Sequence, residues 1–190
     1  MNELSQPPAV SSSFQVSVSS LPLGTLYEAV LAFSSQDKFE TFWPSVCHNA
    51  RWLIPARRMA ILLSGEDGSF EVVGGFQQGK FHKVIADSPF TPKTDLFKRT
   101  LLEKRAQWIE KPFEQLDQET GSFAQWMFRD RPELLFVLPM TMKGTAIGAL
   151  LFVTASVAST DQLMLNTLGR IYALHVGMSY SLLQITEEQR

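Results

Sequence analysis

Leu134-Leu-Phe-Val-Leu-Pro-Met140 and Ile147-Gly-Ala-Leu-Leu-Phe-Val153 stand either side of a Lys143-Gly144 turn. Each run is short, nearly unbroken in its apolar character and rich in residues that suit extended backbone. Helices of ordinary length need longer stretches, so the two runs read as strands of a hairpin. A sheet with one wet face shows apolar and polar residues in alternation. Here the alternation is missing, which predicts central strands with cover on both faces.

Downstream, Ser159 or Thr160 is placed to cap a helix that runs to the C-terminus. Met164, Leu168, Ile171, His175, Met178, Leu182 and Ile185 recur at spacings of four and three, a heptad seam with one polar member. Leu165, Tyr172, Val176 and Leu183 form a second row beside it. Residues 161 to 174 are expected to pack on the sheet. The remainder outruns the domain and exposes its seam, for which a second copy of the chain is the simplest cover, giving a parallel homodimer. The helical pattern that reaches Arg190 also suggests a signalling output domain beyond it, attached or separate.

Upstream, two helical patterns open the ordered part. Leu26, Val30 and Phe33 share a face, with Tyr27 and Leu31 beside it. Asp37 is a plausible N-cap for Phe39, Phe42, Trp43, Val46, Ala50, Leu53 and Ile54, and Pro44 predicts a kink or a late start. Met59 to Ser64, a Gly65-Glu-Asp-Gly68 turn and Phe70 to Phe76 read as another hairpin. Phe81 to Ala86 is a weaker third strand. Thr91-Pro92 marks a helix start, Ala106 to Ile109 a short strand, and Phe123, Met127 and Phe128 a helix that stops before Pro132. Residues 1–20, rich in Ser, Pro and Gln, read as a flexible tail, with Phe14 to Val18 as a candidate edge strand.

The order helix, helix, hairpin, strand, helix, short strand, variable connection, hairpin, long helix resembles the GAF domain family. The late hairpin carries the likeness: Pro139-Met140, the turn Gly144, Ile147-Gly148-Ala149-Leu150, then Thr160-Asp161 before the last helix. The resemblance covers roughly residues 25 to 187, and the domain with its terminal helices is placed at 21–187. It implies an α+β fold with a central antiparallel sheet of five to six strands. Helices from both termini would lie on one face, and variable loops and short helices would form a pocket on the other. It also implies a regulatory sensor domain that binds a small ligand or a partner and signals through its terminal helices. The alternative is a ligand-free interaction module.

The Cys47-His48 pair lies in the second helix, away from the connection where bilin-binding GAF domains place their thiol. The Asn-Lys and Asp-Glu pairs of cyclic-nucleotide GAF domains are missing. One cysteine in 190 residues excludes a two-thiol reductase cycle, an intrachain disulfide and a multi-thiolate zinc site. His48, His82 and His175 are scattered, and neither a Gly-x-Ser-x-Gly elbow nor a phosphate loop is present. No catalytic residue, metal or resident cofactor is therefore expected. Phe76, Phe81, Phe97, Trp108, Phe113, Trp126 and Phe128, with Arg129 and Arg131, are the candidate pocket rim, suited to a planar or apolar anion. The competing reading has these rings filling the space themselves.

Lys plus Arg total 17 against 19 Asp plus Glu, a net charge of −2, so the chain lacks the cationic excess that nucleic acid demands. Hydrophobic residues make up 45%, which fills a globular core. The N-terminus has no basic segment followed by an apolar one, and no run is long enough to span a bilayer. A cytoplasmic location is the expectation.

Overall fold

The computed structural model describes residues 23–83, 90–91, 95–115 and 121–190. Two helices open the fold, α1 (Leu23–Ser34) and α2 (Phe39–Ala50). They are followed by β1 (Ala56–Ser64), β2 (Phe70–Gln77) and β3 (Lys80–His82). Next come α3 (Asp95–Glu103), β4 (Gln107–Glu110), α4 (Pro112–Gln115) and α5 (Ser122–Phe128). The late hairpin is β5 (Leu134–Met142) and β6 (Thr145–Thr154), and α6 (Ser159–Glu188) closes the chain.

The strands form one antiparallel sheet in the order β3-β2-β1-β6-β5-β4. The late hairpin lies at its centre, and residues 134–140 of β5 are buried whichever way they point. On one face Met59, Ile61, Phe136, Leu138, Leu150 and Phe152 meet α1, α2 and α6. On the other, Ala60, Leu62, Leu135, Val137, Leu151 and Val153 meet Phe97 of α3 and Phe123, Met127 and Phe128 of α5. This is the α+β arrangement expected, with both termini's helices on one side.

Small residues seat the long helix. Gly169, Ala173, Gly177 and Ser181 recur every fourth position and are all buried, so one row of α6 presents almost no side chain. A methyl group on Gly169 would meet Leu138 Cδ1 at 2.8 Å, and one on Gly177 would meet the Thr141 carbonyl at 3.0 Å. Beside that row Tyr172 is fully buried. Its ring stands edge-on to Phe33 with centroids 5.3 Å apart, and its hydroxyl donates to the Val46 carbonyl at 2.6 Å. One side chain thus ties α6 to α1 and α2. Gly148 serves the sheet itself, since a Cβ there would run into the Leu62 carbonyl of β1.

Several boundaries differ from expectation. Lys38, not Asp37, precedes α2, and the first bonds run from Thr41 and Phe42 N–H to the Lys38 carbonyl. The helix passes through Pro44 rather than starting after it, and it ends at Ala50, with Leu53 and Ile54 bonded back to Ala50 in the following turns. Ala158 precedes α6, and neither Ser159 nor Thr160 acts as its side-chain cap. The third strand covers only Lys80–His82; residues 84–86 of the expected strand, the tail at 1–20 and part of the Thr91-Pro92 start lie outside the described residues. Among the described residues no helix is long and apolar enough to cross a membrane.

Candidate functional site

The seam read along α6 divides between two roles. Leu168 is buried and Met164 half-buried, both against the core of the terminal-helix face. The corresponding part of the seam is therefore domain packing rather than free surface. Farther along, Ile171, Met178, Leu182 and Ile185 are exposed, with half-buried His175 among them. Leu174 joins this outward stripe and was missed by the heptad reading, because it sits in the column beside the seam. At 3.6 residues per turn the 30 residues of α6 span about 45 Å.

The stripe continues onto α1. Ser34 and Ser179 hydroxyls meet at 3.0 Å, and Leu23, Tyr27 and Leu31 line up with Ser34 at helical spacing while remaining exposed. Between Leu163 and Thr186 the one Asp, Glu, Lys or Arg of α6 is Arg170, exposed at the flank of the stripe and lining a groove with Ile171, Leu174 and Lys104. Two packed helices thus share a long apolar surface on the side of the domain away from the sheet.

The aromatic candidates do not form one group. Phe76, Phe81 and Trp108 lie on the terminal-helix face, against the core of α1, α2 and α6, not on the side of the variable helices. The strand period explains this: Phe76 pairs with Met59 and with Phe81, and Met59 points toward the terminal helices. Trp108 stacks on Phe136 at 3.9 Å between centroids and donates from Nε1 to Asn166 Oδ1 of α6 at 2.7 Å. It links an edge strand to the long helix. Arg51 lies over the rings of exposed Trp52 and of Phe76, at 4.7 and 6.0 Å.

Phe97 and Phe128 are buried and Trp126 half-buried on the opposite face, as expected of the middle connections. There Phe90 stands edge-on to Phe97 at 5.7 Å and tilts over Phe123 at 4.8 Å. These rings spend their surface on one another and on the sheet. The side chain of Phe113 lies outside the described residues. Arg129 is exposed, 3.8 Å from Asp130, and Arg131 takes a left-handed backbone at the end of α5.

The cation buried on this face is Arg58, which belongs to none of the motifs legible in the sequence. Arg58 is 2% exposed. It donates through Nη1 to the Trp126 carbonyl at 2.7 Å and the Met127 carbonyl at 2.8 Å, and through Nη2 to Asp130. It therefore closes the open carbonyl end of α5 and pins that helix to β1. Burial lowers its pKa, Asp130 raises it again, and Arg129 and Arg57 lower it further. The strand period contained the signal: Arg58 alternates with Ala60 and Leu62, both on the inner face.

Cys47 is buried on α2, on the terminal-helix side, and burial alone pushes its thiol far up. It is neither exposed nor ionised, the two properties a reactive thiol needs. Among the described residues no three His, Cys, Asp or Glu side chains gather in a metal-holding group.

This sheet order, with paired terminal helices behind and short helices in front, is the fold of GAF domains. Similar solved structures include the GAF domain of a phosphoenolpyruvate-protein phosphotransferase from Coxiella burnetii, with TM-score 0.62 and 13% identity over 87% of this chain and 96% of that one. The corresponding domain from Acinetobacter has TM-score 0.62 and 9% identity, covering 86% and 94%. The chromophore-binding domain of a bacteriophytochrome from R. palustris has TM-score 0.62 and 11% identity over 87% of this chain, which spans only 62% of that longer one. No protein-family model matches the sequence, and no curated protein matches it significantly.

Proposed function

We propose that the chain is a non-catalytic regulatory sensor domain of a cytoplasmic signalling protein, acting as a homodimer through α1 and α6. Residues 21–187 form the domain and residues 1–20 a tail. The carrying observation is the exposed apolar stripe of Ile171, Leu174, Met178, Leu182 and Ile185 on α6, with Tyr27 and Leu31 exposed on α1, the helix joined to it at Ser34–Ser179. Burying large side chains of this kind is worth roughly 1.5–3 kcal/mol each, so a second copy of the same face supplies ample driving force. A small ligand or protein partner at the middle connections, where Phe97, Trp126, Phe128 and Arg129 lie, would shift α5 or β4. The Trp108–Asn166 bond would carry that shift to α6 and on to an output domain, attached or separate. Phe76, Phe81 and Trp108 then serve packing and relay rather than ligand contact.

Sedimentation equilibrium tests the assembly. Wild type is expected to be dimeric at tens of micromolar, and Met178→Glu with Leu182→Glu monomeric with an unchanged circular dichroism spectrum. Monomeric wild type removes the proposal. The mutual packing of Phe90, Phe97 and Phe123 favours a second reading, a ligand-free module that docks a protein. A thermal-shift screen of metabolites separates the two, since a ligand bound well above its Kd raises Tm by several degrees.

A further inference from the structure

Three strands end together beneath α5: β1 begins there, β5 begins there and β6 finishes there. A recess of about 130 Å³ opens at that end. Its wall includes Arg57, Arg58, Arg131 and Thr154, with Asp130 and Glu133. Three cations face two carboxylates, and one of those carboxylates is already engaged by Arg58. Arg57 and Arg58 come from β1, Arg131 from the connection after α5 and Thr154 from β6, so donors converge from separate segments.

Two features are unexplained by packing. Thr154 is 2% exposed, and its Oγ1 is the one buried side-chain N or O atom, among the described residues, without a hydrogen-bond partner. Such an atom costs stability unless something else satisfies it. Arg58 has five N–H donors, of which the two carbonyls and Asp130 take three. A wall of guanidinium and hydroxyl donors matches a group that only accepts. The volume is roughly four times a water's share of liquid, which admits a tetrahedral oxyanion.

We propose that this strand-end recess binds a phosphate group, as inorganic phosphate or as the phosphate of a phosphomonoester whose remainder stays outside. The site is distinct from the α1–α6 surface and from the aromatic packing of the inner face, and it does not depend on the dimer. A bound phosphate would accept from Arg57, from the remaining Arg58 donors and from Thr154, and would brace the end of α5 against β1.

The test titrates the intact chain with phosphate at constant ionic strength, following Tm and the phosphorus NMR line, with acetate and chloride as controls. Arg57 is exposed, so Arg57→Gln keeps the fold; Thr154→Val keeps the shape and removes the unpartnered hydroxyl. Wild type should show a saturable rise of several degrees in Tm and a broadened phosphorus line. Arg57→Gln should bind at least about tenfold more weakly, the loss of a charged hydrogen bond. Thr154→Val should match or exceed the wild-type Tm without phosphate yet respond less to it. A small phosphomonoester that binds as well as or better than inorganic phosphate supports the site and identifies which source it prefers. No response beyond chloride means a recess holding only water and overturns the proposal. So do acetate acting as well as phosphate, and wild-type responses from both variants.

Discussion

The two faces of the sheet are covered by different means. Behind it, α6 packs through a row of small residues, and contact is mostly apolar, with Tyr172–Val46, Trp108–Asn166 and Ser34–Ser179 as polar ties. In front, short helices are held partly by interlocking rings and partly by one buried arginine that grips α5 through two carbonyls and Asp130. Apolar packing spreads its energy over many contacts. A single charged anchor concentrates it in one residue. On the function proposed above, the front helices would loosen as a unit while the back serves as the platform.

Four substitutions probe this difference. The largest effect should come from Arg58→Met, which leaves the Trp126 and Met127 carbonyls without their donor. A cost of about 3 kcal/mol corresponds to a fall of roughly 6–12 °C in Tm for a chain of this size. Hydrogen exchange should quicken first in α5. Uniform loss of protection in front and behind would erase the distinction. Gly169→Val forces a branched side chain against Leu138 and should cost about 1–3 kcal/mol, with the loosening confined to α6 and β5. Tyr172→Phe removes only the bond to Val46 and should cost about 1 kcal/mol by chemical denaturation.

The smallest expected effect concerns pH. Cys47 and Tyr172 are buried neutral, with pKa values raised above the ordinary 9.0 and 10.0. The unfolded chain ionises at those ordinary values and the folded chain does not. Stability is therefore complete below pH 9 and declines as pH climbs past it. Cys47→Ala should flatten part of that decline in urea titrations between pH 8 and about 10.5. A steeper decline would contradict the placement of Cys47.

The back of the molecule was legible in the sequence because periodicity reports on it. The uninterrupted apolar runs at 134–140 and 147–153 specified central strands, and the second row of α6, Leu165, Tyr172, Val176 and Leu183, is the one that lies buried. The front was harder. Phe76, Phe81 and Trp108 looked like pocket residues by chain position, but the side of a strand residue depends on register, and register requires knowing the partner strand. Arg58 was visible only to someone who extended the alternation of β1 one step past its apolar residues. The seam of α6 was right in period and incomplete in direction, since spacing alone does not say where α1 sits against it.

The outward stripe can be read most directly by cysteine cross-linking. Native Cys47 is buried and silent, so Leu182→Cys places one reactive thiol in the proposed interface. Mild oxidation should convert most of this variant to a disulfide-linked dimer at micromolar concentration, while Lys80→Cys, on the far edge strand, stays monomeric on the gel. Leu182→Cys that remains uncrosslinked, or cross-links no faster than Lys80→Cys, would contradict a dimer built on α6.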